Sequence, residues 1–369
     1  MLEPQIIDAP FAPLPASHSE MEAESGNGIP SLGSWRLLNP FDGRWDVLAV
    51  HAKDAGFFHS SAWAKVLCHS YGLKPLYFAH SNSSSISLAP IMESRTWLGQ
   101  MRAISLPFTD FCGRIEDTVL ESWFTLLHSQ AANRSWKYWE YRGDLGGIES
   151  SVAYYQHRLD LQRPCAKIFG GFHSSVRRSI RKAEKSGVRI ELSTSERSMQ
   201  EFYRLHCQTR KRHGIPPQPY FFFQNIQKYV LAQNLGGIVL ARKNDKCLAA
   251  AVFLRWGKQV VFKFGASDAG AQEARPNHAV FWAAIQHWAS AKCEELHLGR
   301  TSLTADGLRR FKLGWGTIES PLNYYRYRFS DRRFVPVADH GAHWSTRVLR
   351  RLPEGILRGL GRLLYARLS

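Results

Sequence analysis

The sequence predicts an α+β protein of two domains, each with a mixed central sheet flanked by helices. The chain has 369 residues, and at about 150 residues per domain this length suggests two domains. From Trp35 onward, short aromatic and β-branched runs alternate with helical patterns. The order of predicted elements in the first half is repeated, at larger scale, in the second half.

The predicted first domain covers residues 34–165. Its clearest helix is 119–133, because apolar residues from Leu120 to Leu127 recur at positions i, i+3, i+4 and i+7. Its other predicted elements are, in order, a strand at 45–51, a helix at 60–71, and strands at 76–79, 86–92 and 136–141.

The predicted second domain covers residues 166–335. It begins with a helix at 174–185, with Ser174 or Ser175 as N-cap and Gly187 as the stop. The following elements are a strand at 188–192, helices at 199–212 and 219–233, a meander at 238–242, 247–256 and 259–266, a helix at 276–291, a strand at 295–299, a helix at 305–313 and a strand at 318–329. This order is the one expected of a GNAT-type acyltransferase.

The net charge of the chain indicates the kind of partner that the protein binds. The formal net charge is +17, and residues 1–33 contain five acidic residues and no Lys or Arg, so the remainder carries +22. Residues 1–33 are rich in Pro, Ser, Ala and Glu without apolar periodicity, which predicts a disordered acidic tail. The basic remainder favours contact with polyanions or with an anionic membrane surface.

The cysteine spacing and the first residues of the chain predict the cellular compartment. Six widely spaced cysteines form no C-x-x-C pair and no Cys/His cluster with metal-ligand spacing, so a reduced compartment and no metal are predicted. Signal-peptide features and apolar runs of transmembrane length are both missing from the sequence. We therefore expect a cytoplasmic protein, at most peripheral to the inner face of the membrane.

Four stretches together resemble the FemAB-like branch of the GNAT superfamily, which includes members associated with exopolysaccharide and protein-sorting systems. They are SLPFTDFCG at 105–113, SSVRRSIRKAEKSGVRI at 174–190, FYRLHCQTRKRHGIPP at 202–217 and GRTSLTADGLRRFKLGWG at 299–316. The resemblance spans roughly residues 35–329. It implies two GNAT-like domains and transfer of an amino acid from aminoacyl-tRNA to a peptidoglycan precursor.

Lys312 is the predicted catalytic residue. The segment from Phe311 through Gly314 and Trp315 to Gly316 resembles the family's F-K-x-G-F-G motif, with Trp at the last aromatic position. An ammonium beside an exposed turn can stabilise the oxyanion that forms when an amine attacks an ester. The resemblance implies that this Lys faces the acyl donor and that its motif neighbours contact substrate, whereas a Lys that only interacts with the helix dipole is the alternative.

Thr209 and Arg212 lie in a T-x-x-R-x-G pattern that resembles the family's acceptor pocket. The planar guanidinium of Arg212 suits a phosphate or carboxylate of the acceptor. A solvated helix end is the competing interpretation. His213 is a candidate proton acceptor only by proximity.

The helix at 174–185 carries a basic strip. Its Arg178, Arg181, Lys182 and Lys185 recur at i, i+3, i+4 and i+7, so they share one face. Such a strip can follow a phosphate backbone or lie on anionic headgroups. We predict polyanion binding there, with a solvated surface as the alternative.

The acyl donor is predicted from a missing signature. Acetyl-CoA-dependent GNAT enzymes carry a glycine-rich loop after the fourth strand, where backbone N–H groups hold the pyrophosphate. Here that position reads GASDAGAQEARPNHAVFW, and the glycine pattern is missing. This argues against acetyl-CoA and leaves aminoacyl-tRNA, another acyl carrier or a loss of activity. No permanently bound cofactor is expected, and an acyl-CoA donor stays the alternative.

Residues 336–369 are predicted to be a basic amphipathic tail. Leucines and Ile356 form a helical stripe with arginines mainly elsewhere, which suits an anionic membrane surface. Packing against the protein's own core is the alternative, because Pro353 and three glycines interrupt the helix.

The sequence thus predicts an acyltransferase that transfers an aminoacyl group to an amine of a cell-envelope precursor, related to peptidoglycan or polysaccharide. Two alternatives remain open. One is a CoA-dependent N-acyltransferase. The other is a non-catalytic scaffold that binds polyanions or a membrane surface.

Overall fold

The computed structural model describes residues 33–82, 85–96, 98–338 and 345–368. Its described residues form two compact units: 33–155, 321–338 and 363–368 in the first, and 156–320 and 345–362 in the second. The predicted domains, 34–165 and 166–335, stay predictions. The first unit includes residues 321–338 because the last long strand pairs with a strand near residue 140. Apart from Gly33, the predicted acidic tail lies outside the described residues.

The strands are β1 (Arg36–Leu38), β2 (Lys74–Ser81), β3 (Ile86–Arg95), β4 (Met101–Ile104), β5 (Trp136–Arg142), β6 (Val152–Asp160), β7 (Arg189–Ser193), β8 (Gly236–Lys243), β9 (Lys246–Trp256), β10 (Gln259–Ser267), β11 (Glu295–Ser302), β12 (Ile318–Arg328) and β13 (Arg333–Phe334). The α-helices are α1 (Arg44–His51), α2 (Ser61–Tyr71), α3 (Asp117–Arg134), α4 (Cys165–Gly170), α5 (Ser174–Lys185), α6 (Glu196–His213), α7 (Tyr220–Tyr229), α8 (Pro276–Ser290), α9 (Asp306–Leu313), α10 (Ser345–Arg351) and α11 (Glu354–Leu368).

The first unit is built on the sheet β1-β2-β3-β4-β5-β12, with β13 paired to β12. Its strands are antiparallel except for β4 and β5, which are parallel and connected through α3. Four fully buried tryptophans anchor its core: Trp45, Trp63, Trp123 and Trp139.

The predicted strand at 45–51 is wrong, because these residues form helix α1. Trp45, Leu48 and Ala49 are its buried residues, and their spacing of i, i+3 and i+4 matches a helix rather than a strand. The aromatic and β-branched composition of the segment had favoured the wrong period.

The second unit has the strand order β6-β11-β10-β9-β8-β7. Strands β7 to β10 are antiparallel, and β11 returns parallel to β10 after helix α8. This repeats the first unit, where the meander β2-β3-β4 is followed by a helix and by the parallel strand β5. The predicted fold class, α+β with two GNAT-like domains, is confirmed.

Helix α5 matches the predicted range 174–185, but its cap is different. The Nδ1 atom of His173 accepts a hydrogen bond from the backbone N–H of Ser175 at 3.3 Å. The N-cap is therefore His173, one residue before the predicted serines. An imidazole nitrogen satisfies the free helical N–H as a serine oxygen would.

Candidate active site

The site is organised by the divergence of two parallel strands. Within the described residues, β10 and β11 pair at only three positions, the last being Val261 opposite His297. Strand β10 shifts its register against β9 between Phe262 and Phe264, and then continues to Ser267. Diverging strands turn backbone N–H and C=O groups into the gap between them, where an extended ligand can pair with those groups.

Lys312 lies where β10 and β11 separate. It is near the end of α9, and only 3% of its surface is exposed. Its Nζ atom donates to the carbonyl oxygen of Gly299 at 2.8 Å and to that of Arg300 at 3.0 Å. Both carbonyls belong to β11, just past its last pair with β10. The ammonium is thus fixed against the part of β11 that no longer pairs with β10.

The aromatic residues of the Lys312 motif lie in the core. Trp315 is fully buried, and its ring stacks on Phe281 with centroids 5.4 Å apart. Phe311 packs edge-on against the same Phe281 ring at 5.5 Å. Both residues thus attach the end of α9 to helix α8, and their predicted contact with substrate stays a prediction.

Gly314 brings the motif against helix α5. A Cβ atom at Gly314 would lie 3.0 Å from Cγ2 of Val176, tighter than an ordinary contact. The carbonyl of Gly314 accepts a hydrogen bond from the backbone N–H of His173 at 2.8 Å. Glycine is needed here because the two chain segments approach so closely. The N-terminus of α5 and the Lys312 motif therefore form one connected structure.

A buried polar group that the sequence did not predict lies beside Lys312. The His157 side chain is fully buried, and its Nε2 lies 3.0 Å from a carboxylate oxygen of Glu319. Nδ1 of His157 lies 3.5 Å from the hydroxyl of Thr301. Arg309 donates two hydrogen bonds to Glu319, at 2.8 and 2.7 Å. Since His157 and Glu319 are 162 residues apart, only the fold brings them together.

The charge states of this group follow from its surroundings. Burial, and then the Lys312 ammonium, lower the pKa of His157. The hydrogen bond from Arg309 lowers the pKa of Glu319. At neutral pH the group thus contains a carboxylate and a neutral imidazole whose Nε2–H donates to that carboxylate.

Thr209 and Arg212 meet at the far end of β10. The hydroxyl of Thr209 accepts from the backbone N–H of Ser267 at 3.1 Å, and Nη1 of Arg212 donates to the carbonyl of Ser267 at 3.2 Å. The two predicted acceptor residues, both on helix α6, are therefore held against the end of β10. Neighbouring His213 has a pKa lowered by burial and then by Arg212, which favours its neutral form.

The C-terminal helices have one packed and one exposed side. Leu357 is fully buried, and a Cβ at Gly361 would lie only 2.0 Å from the carbonyl oxygen of Pro217. Val348, Ile356 and Leu363 are instead more than half exposed. Packing against the protein and an exposed apolar face, which the sequence offered as alternatives, therefore occur together.

A metal-binding cluster and a membrane-spanning helix are both absent from the residues that the structure describes. No group of three or more His, Cys, Asp or Glu side chains there is arranged to hold a metal ion. None of the helices in that part of the chain is long and apolar enough to cross a membrane.

Comparison with known proteins identifies the second unit. The family model of the acetyltransferase (GNAT) domain matches residues 171–317. This part of the chain is therefore similar to a GNAT domain. Lys312, Thr209, Arg212 and the strip on α5 all lie within the matched residues, and the predicted resemblance to GNAT acyltransferases is confirmed for this part of the chain.

The proteins that this chain resembles include Fem-type enzymes. The chain is 27% identical over 99 residues to UDP-N-acetylmuramoylpentapeptide-lysine N(6)-alanyltransferase of Weissella viridescens, a match covering 27% of this chain and 29% of that enzyme. The crystal structure of FemX has a TM-score of 0.63 at 12% identity, covering 79% of this chain and 96% of FemX. L-PGS from Bacillus licheniformis has a TM-score of 0.52 at 12% identity, covering 85% and 96%. The resemblance to the FemAB-like branch is confirmed.

Proposed function

We propose that this protein transfers an aminoacyl group from aminoacyl-tRNA to an amine of a cell-envelope precursor, related to peptidoglycan or polysaccharide. The amine nitrogen attacks the ester carbonyl, and a tetrahedral oxyanion forms. The C–O ester bond then breaks, an amide forms, and a proton passes from the amine to the departing ribose oxygen. The matched alanyltransferase supports this choice of reaction by its name.

The position of Lys312 carries the proposal. Its ammonium is buried and held by two β11 carbonyls where β10 and β11 diverge. A fixed positive charge at that point stabilises an oxyanion without reorganisation. Arg212, anchored to the carbonyl of Ser267, is assigned to orient a phosphate or carboxylate of the acceptor.

The loop between β10 and α8 supports aminoacyl-tRNA over acyl-CoA. Residues Ala269–Ala274 form a 3₁₀ helix, and Asp268 caps it by accepting from the N–H of Gly270 at 2.9 Å. A hydrogen bond from Lys246 lowers the pKa of Asp268, which keeps this carboxylate ionised. The Lys246 ammonium, 2.7 Å away, offsets the charge of this carboxylate, so the support for aminoacyl-tRNA rests on the missing glycine pattern that would hold a pyrophosphate. The family model's own description, acetyltransferase, keeps a CoA-dependent N-acyltransferase as the second candidate.

A donor comparison tests the function. Purified protein is incubated with a lipid-linked saccharide fraction and either tRNA charged with radiolabelled amino acids or labelled acetyl-CoA. We expect label to reach the lipid-linked fraction only from charged tRNA. Transfer only from acetyl-CoA would establish the second candidate, and no transfer from either donor would favour a non-catalytic scaffold.

We further propose that the protein associates peripherally with an anionic membrane, on the cytoplasmic face, through α10 and α11. Val348, Ile356 and Leu363 are exposed, and Arg351 and Arg362 are exposed on the same helices. Exposed apolar residues flanked by arginines suit an interface with anionic lipid. A lipid-linked acceptor would be presented at that surface.

A further inference from the structure

Helix α5, which carries the basic strip, is bonded at both ends to parts of the candidate site. Its N-terminal end is bonded to the Lys312 motif through His173 and Gly314. Its C-terminal end contacts the loop that precedes α8, where the hydroxyl of Ser186 donates to the carbonyl of Ala274 at 3.4 Å. Lys182 also lies 3.7 Å from Glu273 of the same loop. Helix α5 thus connects the Lys312 motif to the loop between β10 and α8.

All four cations of the strip, Arg178, Arg181, Lys182 and Lys185, are exposed. Residues 163–189 contain eight Lys or Arg residues and a single acidic residue, Glu184. Lys167 on α4 and Arg275 before α8 are also exposed. The strip from Arg178 to Lys185 is about 10 Å long at 1.5 Å per residue, enough to face about three successive phosphates of a nucleic-acid strand.

The strip differs chemically from the basic surface formed by helices α10 and α11. Within 163–189, which the structure describes completely, none of the large hydrophobic side chains is exposed. Val176 and Ile180 of α5 are buried in the core. A membrane-surface helix needs exposed apolar anchors, as in α10 and α11, whereas a phosphate backbone needs only cations. The strip therefore fits RNA better than lipid.

We infer that the α5 strip binds the phosphate backbone of the donor RNA and directs its aminoacylated end into the gap at Lys312. This inference rests on the proposed function, because it assigns the surface that holds the proposed donor. Each cation that neutralises a phosphate releases counterions, so binding must weaken steeply with salt.

The test compares two variants with matched charge changes. In the strip variant, Arg178, Arg181, Lys182 and Lys185 are all replaced by Gln. In the control, four exposed cations elsewhere in the second unit are replaced in the same way: Arg197, Lys228, Lys243 and Lys292. Binding of uncharged tRNA is measured by fluorescence anisotropy at several salt concentrations. Thermal midpoints show whether both variants fold.

We expect the strip variant to bind roughly tenfold or more weakly than wild type at low salt, with a salt slope smaller by about 3. The control variant should lose much less affinity for tRNA. A variant with Arg178→Lys and Arg181→Lys keeps the charges and should bind close to wild type. Equal losses in the strip variant and the control would overturn the inference.

Two further measurements separate this inference from the others. Because this tRNA carries no amino acid, its binding does not depend on transfer. If both variants lost the same tRNA affinity while the wild-type enzyme was active, the role of the strip would be overturned and the proposed function would remain intact. Sedimentation with phosphatidylglycerol vesicles should be unaffected in the strip variant. Loss of vesicle binding with retention of tRNA binding would instead make the strip a lipid surface and overturn the inference.

Discussion

Lys312 combines a structural and a chemical role in one side chain. Its Nζ bonds two β11 carbonyls, so Lys312→Met removes the charge and leaves the carbonyls of Gly299 and Arg300 without this donor. We expect single-turnover transfer to fall ~10²–10³-fold, about 2.7–4 kcal/mol. Loss of this buried donor should also cost about 1–3 kcal/mol of folding stability.

Arg310→Met is the matched control, because Arg310 is an exposed cation on the same helix. It should leave both rate and thermal midpoint nearly unchanged. A Lys312→Met protein that is less stable but transfers at the wild-type rate would reduce Lys312 to a structural residue.

Sequence reasoning identified the residues that carry a local pattern. Lys312, Thr209 and Arg212 stand in recognisable motifs, and the fold brings the last two together at Ser267. The buried pair of His157 and Glu319 could not be found in this way, because its partners come from β6 and β12 and neither has a local signature. A single charged residue in a strand looks like a solvated position until the fold buries it.

At the scale of elements, hydrophobic periodicity correctly predicted the helices that are long and have one buried face. Helices α3, α5 and α6 were predicted within a few residues. Strand β6 was not predicted, although it supplies His157. Its core positions include Gln156 and His157, so buried polar residues break the apolar pattern that marks a strand.

The packing of α11 can be tested with two of its glycines. A Cβ at Gly361 would meet the carbonyl oxygen of Pro217 at 2.0 Å, whereas a Cβ at Gly359 would have nothing within 4 Å. We therefore expect Gly361→Ala to lower the thermal midpoint and to expose the C-terminus to limited proteolysis, because backbone must move. Gly359→Ala should stabilise the helix by about 0.5–1 kcal/mol. Equal midpoints for the two variants would contradict the packing of α11.

Across the whole molecule, several buried histidines are kept neutral. Burial lowers the pKa of His206 to about 3, and lowers the pKa values of His59, His278 and His287 to about 4. In the unfolded chain each histidine titrates near 6.5. Between the folded and unfolded pKa values, the unfolded state binds more protons than the folded state. The contribution of these histidines to the free energy of unfolding is therefore fully present above about pH 6.5 and is lost as the pH falls toward 4.

Each such histidine contributes a slope of at most about 1.4 kcal/mol per pH unit in that window, and the contributions of the four add in the same direction. We expect urea midpoints to be flat above pH 7 and to fall steeply between pH 6 and 4. His206→Gln removes one titrating site that is buried against Gln218, so its free energy of unfolding should depend less on pH by about 1.4 kcal/mol per unit. His69→Gln, at an exposed position, serves as the control. If the His206→Gln protein kept the wild-type slope, the acid sensitivity would have to come from other groups, such as His59, His278 and His287, rather than from this buried imidazole.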